Sequence, residues 1–146
     1  MTLAPDQMIC FSLYSATHAM QQVYRPLLDP LGLTYPQYLV LSALWATEGA
    51  PTVGDVSRMV ALESSTLTPL LKRLEAMGHL TRRRDSADER KVRLHLTDKG
   101  RALQDEARHI PDCIAQACGM SLAALEHLQR DVNRLRDNLR GADDAA

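Results

Sequence analysis

Aromatic side chains are scarce in this sequence: one Trp, one Phe and four Tyr make up 4% of its 146 residues. A core without them has to be built from Leu, Val and Ala, which suits packed helices better than sheets rich in aromatic and β-branched residues. Long apolar runs are missing too. No stretch approaches the ~18 uncharged apolar residues of a membrane span, and no signal-peptide pattern opens the chain, so a cytoplasmic protein with no membrane partner is expected. The three cysteines are odd in number and include no CxxC pair, which argues against a secreted disulfide framework and a zinc site and leaves free thiols. Histidines at 18, 79, 95, 109 and 127 are scattered. With no phosphate loop, Ser-His-Asp arrangement or metal motif, no cofactor, metal site or catalytic residue is expected. What is present, 45% apolar and 24% charged residues, suits one soluble domain with its own core.

Charge is unevenly spread. Residues 72–101 hold ten Lys/Arg against five Asp/Glu, net +5, and the remainder holds seven against thirteen, net −6. The near-neutral total hides a basic face on an acidic body. Just before and within the basic stretch, Leu67, Leu70, Leu71, Leu74 and Met77 recur at three- and four-residue spacing, which predicts a helix with one apolar stripe, capped by Ser64 or Ser65 and ended by Gly78. Its other face carries Ser65, Thr66, Thr68, Lys72 and Arg73, groups that bond phosphates or base edges in a major groove. Pro69 lies beyond the first turn, where a local kink or irregular start is expected. After Gly78 the period becomes alternating, predicting strands over His79–Arg82 and Val92–Leu96 joined by a polar turn. A helix followed by a basic ribbon carrying Arg82, Arg84, Asp88, Arg90 and Lys91 is the layout of a winged helix-turn-helix on double-stranded DNA.

The remaining segments fit that layout. Residues 6–29 read as one long helix with a broad apolar face, a first hint of a homodimer. Thr34 and Gln37 form a capping box with Pro36 in the first turn, and the run from Tyr38 to Trp45 is almost all apolar, hence buried. Thr52 caps a short helix to Ala61 with Val53, Val56, Met59 and Val60 inward. Thr97 caps a helix from Asp98 to about His109, which Pro111 interrupts; residues 112–120 are ambiguous. Ser121 caps a last helix whose Leu122, Leu125, Leu128, Val132, Leu135 and Leu139 form a coiled-coil-like seam, again asking for a partner. The expected fold is mainly α with a small β-wing. It divides into an N-terminal dimerisation helix (1–33), a winged helix-turn-helix (34–100), C-terminal dimerisation helices (101–140) and a disordered tail (141–146). Two heads related by a twofold axis would read a pseudo-palindromic operator.

The runs Leu31-Gly32-Leu33-Thr34-Tyr35-Pro36-Gln37-Tyr38, Leu67-Thr68-Pro69-Leu70-Leu71-Lys72-Arg73-Leu74-Glu75, Asp88-Glu89-Arg90 and Leu96-Thr97-Asp98-Lys99-Gly100 resemble the MarR family of dimeric winged-helix regulators over about residues 6–140. Within it, Cys10, Tyr24 and Tyr35 resemble the organic-hydroperoxide-responsive repressors. The resemblance implies that Arg90 enters the minor groove while Asp88 helps hold the wing. It also implies that Cys10 is oxidised by an organic hydroperoxide, with Tyr24 reaching it from the partner subunit, and that a later cysteine of the other subunit, Cys118 or Cys113, resolves the oxidised thiol. The chemistry is sound on its own terms. An ordinary thiol is only ~3% thiolate at pH 7, and the thiolate is what attacks a peroxide, so phenols that stabilise the anion would make a sensor. Tyr14, at i+4, shares a helix face with Cys10, whereas Tyr24 stands fourteen residues on, roughly 21 Å along a helix. Two other readings stay open: a MarR-type repressor gated by a small aromatic or phenolic ligand, and a thiol peroxidase.

Overall fold

The computed structural model describes residues 2–143, which fall into two units divided between residues 110 and 111. In the first, helix α1 spans Ile9–Leu28, α2 Tyr35–Trp45, α3 Val53–Val60 and α4 Ser64–Ala76; strands β1 (Leu80–Arg84) and β2 (Val92–Leu96) follow, then α5 (Asp98–Glu106). Helix α6 (Ile110–Cys118) begins at the last residue of the first unit, and α7 (Leu122–Asp143) follows it in the second. The chain is mainly helical with a two-stranded antiparallel wing, as the periodicities predict. Leu28, Val40, Leu41, Leu44, Val56, Leu67, Leu71, Leu74, Leu80 and Leu94 form the centre of the first unit's core.

Several boundaries differ from the sequence reading. The first helix does not run from residue 6: a 3-10 turn, Pro5–Gln7, precedes an extended Met8, and the α-helix begins only at Ile9. Pro111 does not interrupt a helix, since α5 stops at Glu106 and Pro111 stands in the first turn of α6, where its missing donor has no partner to lose. The ambiguous 112–118 stretch is helical. Met59, expected inward, is 52% exposed, because α3 turns only Val56 and Val60 fully to the core. Gly141 to Asp143, expected to be disordered, continue α7; residues 144–146 of that tail lie outside the described residues.

The corner between α4, β1 and α5 is built most tightly. Gly78 takes a left-handed conformation (φ 83°), its N–H donating to Glu75 O at 2.9 Å and that of His79 to Leu74 O at 3.0 Å, so α4 ends as expected in a Schellman turn. The exposed carbonyls beyond it are taken up from α5. Lys99 Nζ donates to Met77 O at 2.7 Å, Thr97 Oγ1 to Gly78 O at 2.5 Å, and Thr97 N to His79 O at 3.1 Å. Gly100 lies flat against that last carbonyl, where an added Cβ would meet His79 O at 2.0 Å. Its own carbonyl accepts Trp45 Nε1–H at 2.9 Å, tying α2 to the same point.

Two outcomes follow from this corner. Gly100→Ala should destabilise the fold by about 3 kcal/mol or more, because the obstacle is backbone and no rotamer relieves it; urea unfolding measures this. His79 is 4% exposed and its Nδ1 has no hydrogen-bond partner among the described residues. Burial first, then Lys99, holds its pKa below the ordinary value of 6.5, against a smaller opposing pull from Glu106. A histidine depressed in the fold binds its proton more readily when unfolded, so its contribution is present above pH 6.5 and lost as pH falls below it. The wild-type melting temperature should therefore fall further between pH 7.5 and 5.5 than that of His79→Gln.

Candidate nucleic-acid interface and candidate thiol site

The helix-turn-helix is fixed locally. Thr52 and Asp55 form a reciprocal capping box at the start of α3 (Thr52 N to Asp55 Oδ2 2.9 Å; Asp55 N to Thr52 Oγ1 3.1 Å). That bond from Thr52 chiefly holds the Asp55 carboxyl below its ordinary range. Ala61, left-handed at φ 55°, turns the chain toward α4, and Ser57 Oγ donates to Leu62 O at 2.5 Å across the turn. Neither Ser64 nor Ser65 caps α4. Glu63 is the N-cap residue, with no side-chain cap bond among the described residues, and its carbonyl accepts the N–H groups of Thr66 and Leu67 at 3.0 and 2.9 Å. Pro69, expected to bring a local kink or irregular start, lies inside α4 without ending the helix. Thr68 Oγ1 donates back to Ser64 O at 2.7 Å. Leu67, Leu71 and Leu74 are buried, and Ser65, Thr66, Pro69, Lys72 and Arg73 are exposed, with Thr68 at the margin.

The wing pairs Leu80 with Leu96 through to Arg84 with Val92. A third edge, unforeseen in the sequence, comes from the α2–α3 loop: Thr52 bridges Arg93, and Leu94 N donates to Pro51 O at 2.9 Å. The loop at the tip is closed by backbone bonds, Asp85 N to Lys91 O and Lys91 N to Asp88 O, both 2.9 Å. Its acids act as turn acceptors. Asp85 Oδ1 takes Ala87 N–H at 3.1 Å and Oδ2 takes Arg93 Nη2 at 2.9 Å; Asp88 Oδ1 takes the N–H and Nε of Arg90, both at 3.1 Å. These bonds hold both carboxyls below their usual range, led at Asp85 by the Ala87 N–H and at Asp88 by the Arg90 side chain.

The predicted DNA contacts divide by how they are used. Among the described residues, the side chains of Lys72, Arg73 and Arg84 have no hydrogen bond or ion pair and stand exposed. Lys91 is also exposed. Arg90 is 91% exposed, its head resting on Asp88. Arg82 differs: its guanidinium donates through Nε and Nη2 to Glu75 Oε1 at 3.3 and 3.1 Å, and its N–H to Glu75 Oε2 at 2.7 Å. Sequence reasoning missed Glu75, Asp85 and Arg93. The one available signal was that Arg93 lies opposite Arg83 in the ribbon, a like-charge pair that calls for an acid nearby. Thr52, Arg58, Ser64, Thr68, Arg82, Arg90, Lys91 and Arg93 help line an open cleft of about 630 Å³ between α3, α4 and the wing.

Within the first unit, Cys10 and the Tyr24–Tyr35 pair lie toward opposite ends of α1. Cys10 is exposed in the first turn of α1, amid exposed Ile9 and Phe11. Tyr14 is 71% exposed and its ring lies parallel to that of His18 at 6.5 Å. Tyr24 is near the other end of α1, packed on Tyr35 at 4.9 Å and on Tyr38 at 5.9 Å. Tyr38, not foreseen as part of this group, has its phenol pKa raised chiefly by burial. With His18, Arg25 and Leu33, Tyr24 and Tyr35 line a cleft of about 620 Å³. Cys113 and Cys118 are half-buried free thiols on α6, in the second unit. Among the described residues no group of three or more His, Cys, Asp or Glu could hold a metal, and no helix is long and apolar enough to cross a membrane.

A short helix, tight turn and second helix followed by a basic ribbon define a winged helix-turn-helix protein. The profile of the transcriptional regulators SarA/Rot matches residues 22–107. The chain is 46% identical over 134 residues to the regulator TtmR of Methylorubrum extorquens, covering 92% of this chain and 68% of that one. It is 40% identical to the organic hydroperoxide resistance transcriptional regulator of Bacillus subtilis, covering 92% and 90%. Among solved structures it is similar to reduced AbfR bound to DNA (TM-score 0.76, 33% identity, 90% and 91% covered). It is also similar to Bordetella bronchiseptica BpsR, whose DNA binding is regulated by 6-hydroxynicotinic acid (TM-score 0.80, 28% identity, 91% and 98% covered). The chain belongs to the SarA/Rot family of MarR-like winged-helix transcriptional regulators. Its relatives are named as regulators of transcription, not enzymes.

The wing's hydrogen bonds give a direct test of its local order. Asp85→Ala removes the Arg93 pair and the Ala87 turn bond together, so amide exchange at Ala87 and Lys91 should quicken about tenfold while that of Leu71 is unchanged. Because the folded pKa of Asp85 is depressed, this support is present above the ordinary 3.8 and lost as pH falls through the lower folded value. Protection in the wild type should accordingly persist at pH 5.

Proposed function

We propose that this chain is a cytoplasmic, homodimeric repressor that leaves a pseudo-palindromic operator when Cys10 is oxidised by an organic hydroperoxide. The observation that carries the reading is an exposed thiol in the first turn of α1 amid exposed apolar side chains, in a chain 40% identical to a hydroperoxide-resistance regulator. In each head α4 enters the major groove, with Ser65, Thr66, Thr68, Pro69, Lys72 and Arg73 toward the duplex. The wing brings Arg84, Arg90 and Lys91 to the backbone and minor groove, and Asp88 aligns Arg90.

In the sensing step the Cys10 thiolate attacks the outer oxygen of the hydroperoxide. The O–O bond breaks and an alkoxide leaves, taking a proton to become the alcohol, while sulfur is oxidised to the sulfenic acid. The phenol of Tyr24 from a second subunit, with Tyr14 and Tyr35, stabilises the thiolate beforehand. Cys118 or Cys113 of the other subunit then attacks the sulfenic sulfur, forming a disulfide and releasing water. AbfR has been solved in reduced, overoxidised and disulfide forms, which supports a redox reading for a similar chain. A coupling of about 2–3 kcal/mol between thiol state and head spacing lowers operator affinity roughly 30- to 150-fold.

A second reading is favoured by the cleft of about 620 Å³ lined by Tyr24, Arg25 and Tyr35, whose size and mixed lining suit a small aromatic anion. A gel-shift titration on the duplex upstream of its own gene separates the two. The hydroperoxide reading expects Cys10→Ser to bind DNA as the wild type does and to stay bound when an alkyl hydroperoxide is added. Release of that variant at the wild-type peroxide concentration would leave only the ligand-gated regulator.

A further inference from the structure

We propose that Glu75 is the positioning residue of the reading head, fixing the angle between α4 and the wing by gripping Arg82, so that Arg82 serves the wing's geometry and is not itself a phosphate contact. The inference rests on the proposed DNA-binding mode. The Glu75 carboxylate binds the strand twice over, through the Arg82 backbone N–H at 2.7 Å and through the guanidinium at 3.1 and 3.3 Å. Side-chain exposures of 30% for Arg82 and 35% for Glu75 leave the pair partly shielded from water and salt. The N–H bond is also the largest reason the Glu75 carboxyl stays below its ordinary range, so the grip survives mild acid.

The geometry makes this bond consequential. A two-stranded ribbon is marginally stable alone and turns easily about its base. This ribbon is held at its base by Leu80 and Leu94 in the core and on the β2 side by Arg93, whose Nη1 donates to Ala50 O at 2.8 Å. Glu75 supplies the matching hold on the β1 side, from the helix that reads the major groove. It therefore sets how far Arg90, at the tip, stands from Lys72 and Arg73 on α4. Among the described residues Arg83 and Arg84, the next residues of the strand, make no ion pair and remain available for phosphates. Arg82 cannot be shared in this way without giving up Glu75.

The test uses full-length wild type, Glu75→Gln, Arg82→Gln and the double variant on the duplex upstream of the gene, with affinity, its salt dependence and both groove footprints read together. The expected result is about tenfold weaker binding by either single variant. Hydroxyl-radical protection in the minor groove beneath the wing should be lost, dimethyl-sulfate protection in the major groove kept, and the double variant should be no weaker than the singles. Arg82→Gln keeps the backbone bond to Glu75 and carries the comparison if Glu75→Gln melts early. Unchanged or tighter binding by Glu75→Gln, with a salt slope about one unit shallower in Arg82→Gln, would make Arg82 a direct contact and overturn the proposal. A wild type that binds no duplex removes the DNA-binding reading itself, whereas a wild type that binds beside an unaffected Glu75→Gln removes only this one.

Discussion

The carbonyl oxygen of His79 is the point on which the reading head turns. It accepts Thr97 N–H, and Gly100 lies so close that any side chain there would collide with it. One residue earlier, Gly78 ends α4 in the left-handed conformation. One residue later, Leu80 enters the core and begins the wing. The end of α4, the root of the ribbon and the start of α5 are thus fixed within a few residues of each other. The Trp45 bond to the Gly100 carbonyl adds α2 to the same junction. Helix ends normally leave carbonyls to water; here Lys99 and Thr97 take those of Met77 and Gly78, so the turn does not depend on solvent.

That junction explains what could and could not be read from the sequence. Leu67, Leu71 and Leu74 at helical spacing, Gly78 after them, and the capping residues Thr34, Thr52 and Thr97 are local signals, and the elements they announce are present. Contacts between distant segments leave no such trace. Glu75 has no assigned role in the sequence, and only folding brings it to Arg82, seven residues on, where it takes up a cation expected among the DNA contacts. The Thr52–Arg93 bridge joins residues too far apart in sequence for any spacing rule to pair. At Ser64 and Ser65 the local signal misled, because two adjacent serines gave a choice of caps while the chain placed Glu63 there. The MarR-like family was legible in its motifs, but they speak to fold and DNA mode more than to signal.

The candidate sensor was legible only as a set of residue types. Along α1 the thiol and the tyrosine cluster occupy opposite ends: Cys10 and Tyr14 exposed near the start, Tyr24 against Tyr35 and Tyr38 near the finish. A helix rises about 1.5 Å per residue, so no side-chain rotation closes that gap within one copy. Under the proposed function the gap is an advantage. A site completed only when two α1 helices lie antiparallel is sensitive to how the copies meet, and oxidation of one sulfur then acts on the geometry that sets head spacing.

Charge allocation on the head points the same way. The basic stretch holds ten Lys/Arg, yet its cations are not equally available. Arg82 is given to Glu75, Arg93 to Asp85 and Ala50, and Lys99 to the end of α4. Lys72, Arg73, Arg83, Arg84 and Lys91, with Arg90 at the tip, stand exposed, and under the proposed function these are the cations left for the duplex. Each phosphate neutralised contributes a sequence-independent term that weakens steeply with salt, so so few cations hold a duplex only modestly at cellular ionic strength. Two heads on a common body roughly double that term and add base contacts in a second half-site. Under the proposed dimeric function, a protein that spends part of its positive charge on holding its own wing would depend on the second copy for affinity. On the proposed function, a modest change in how the copies are held would then be enough to release the operator.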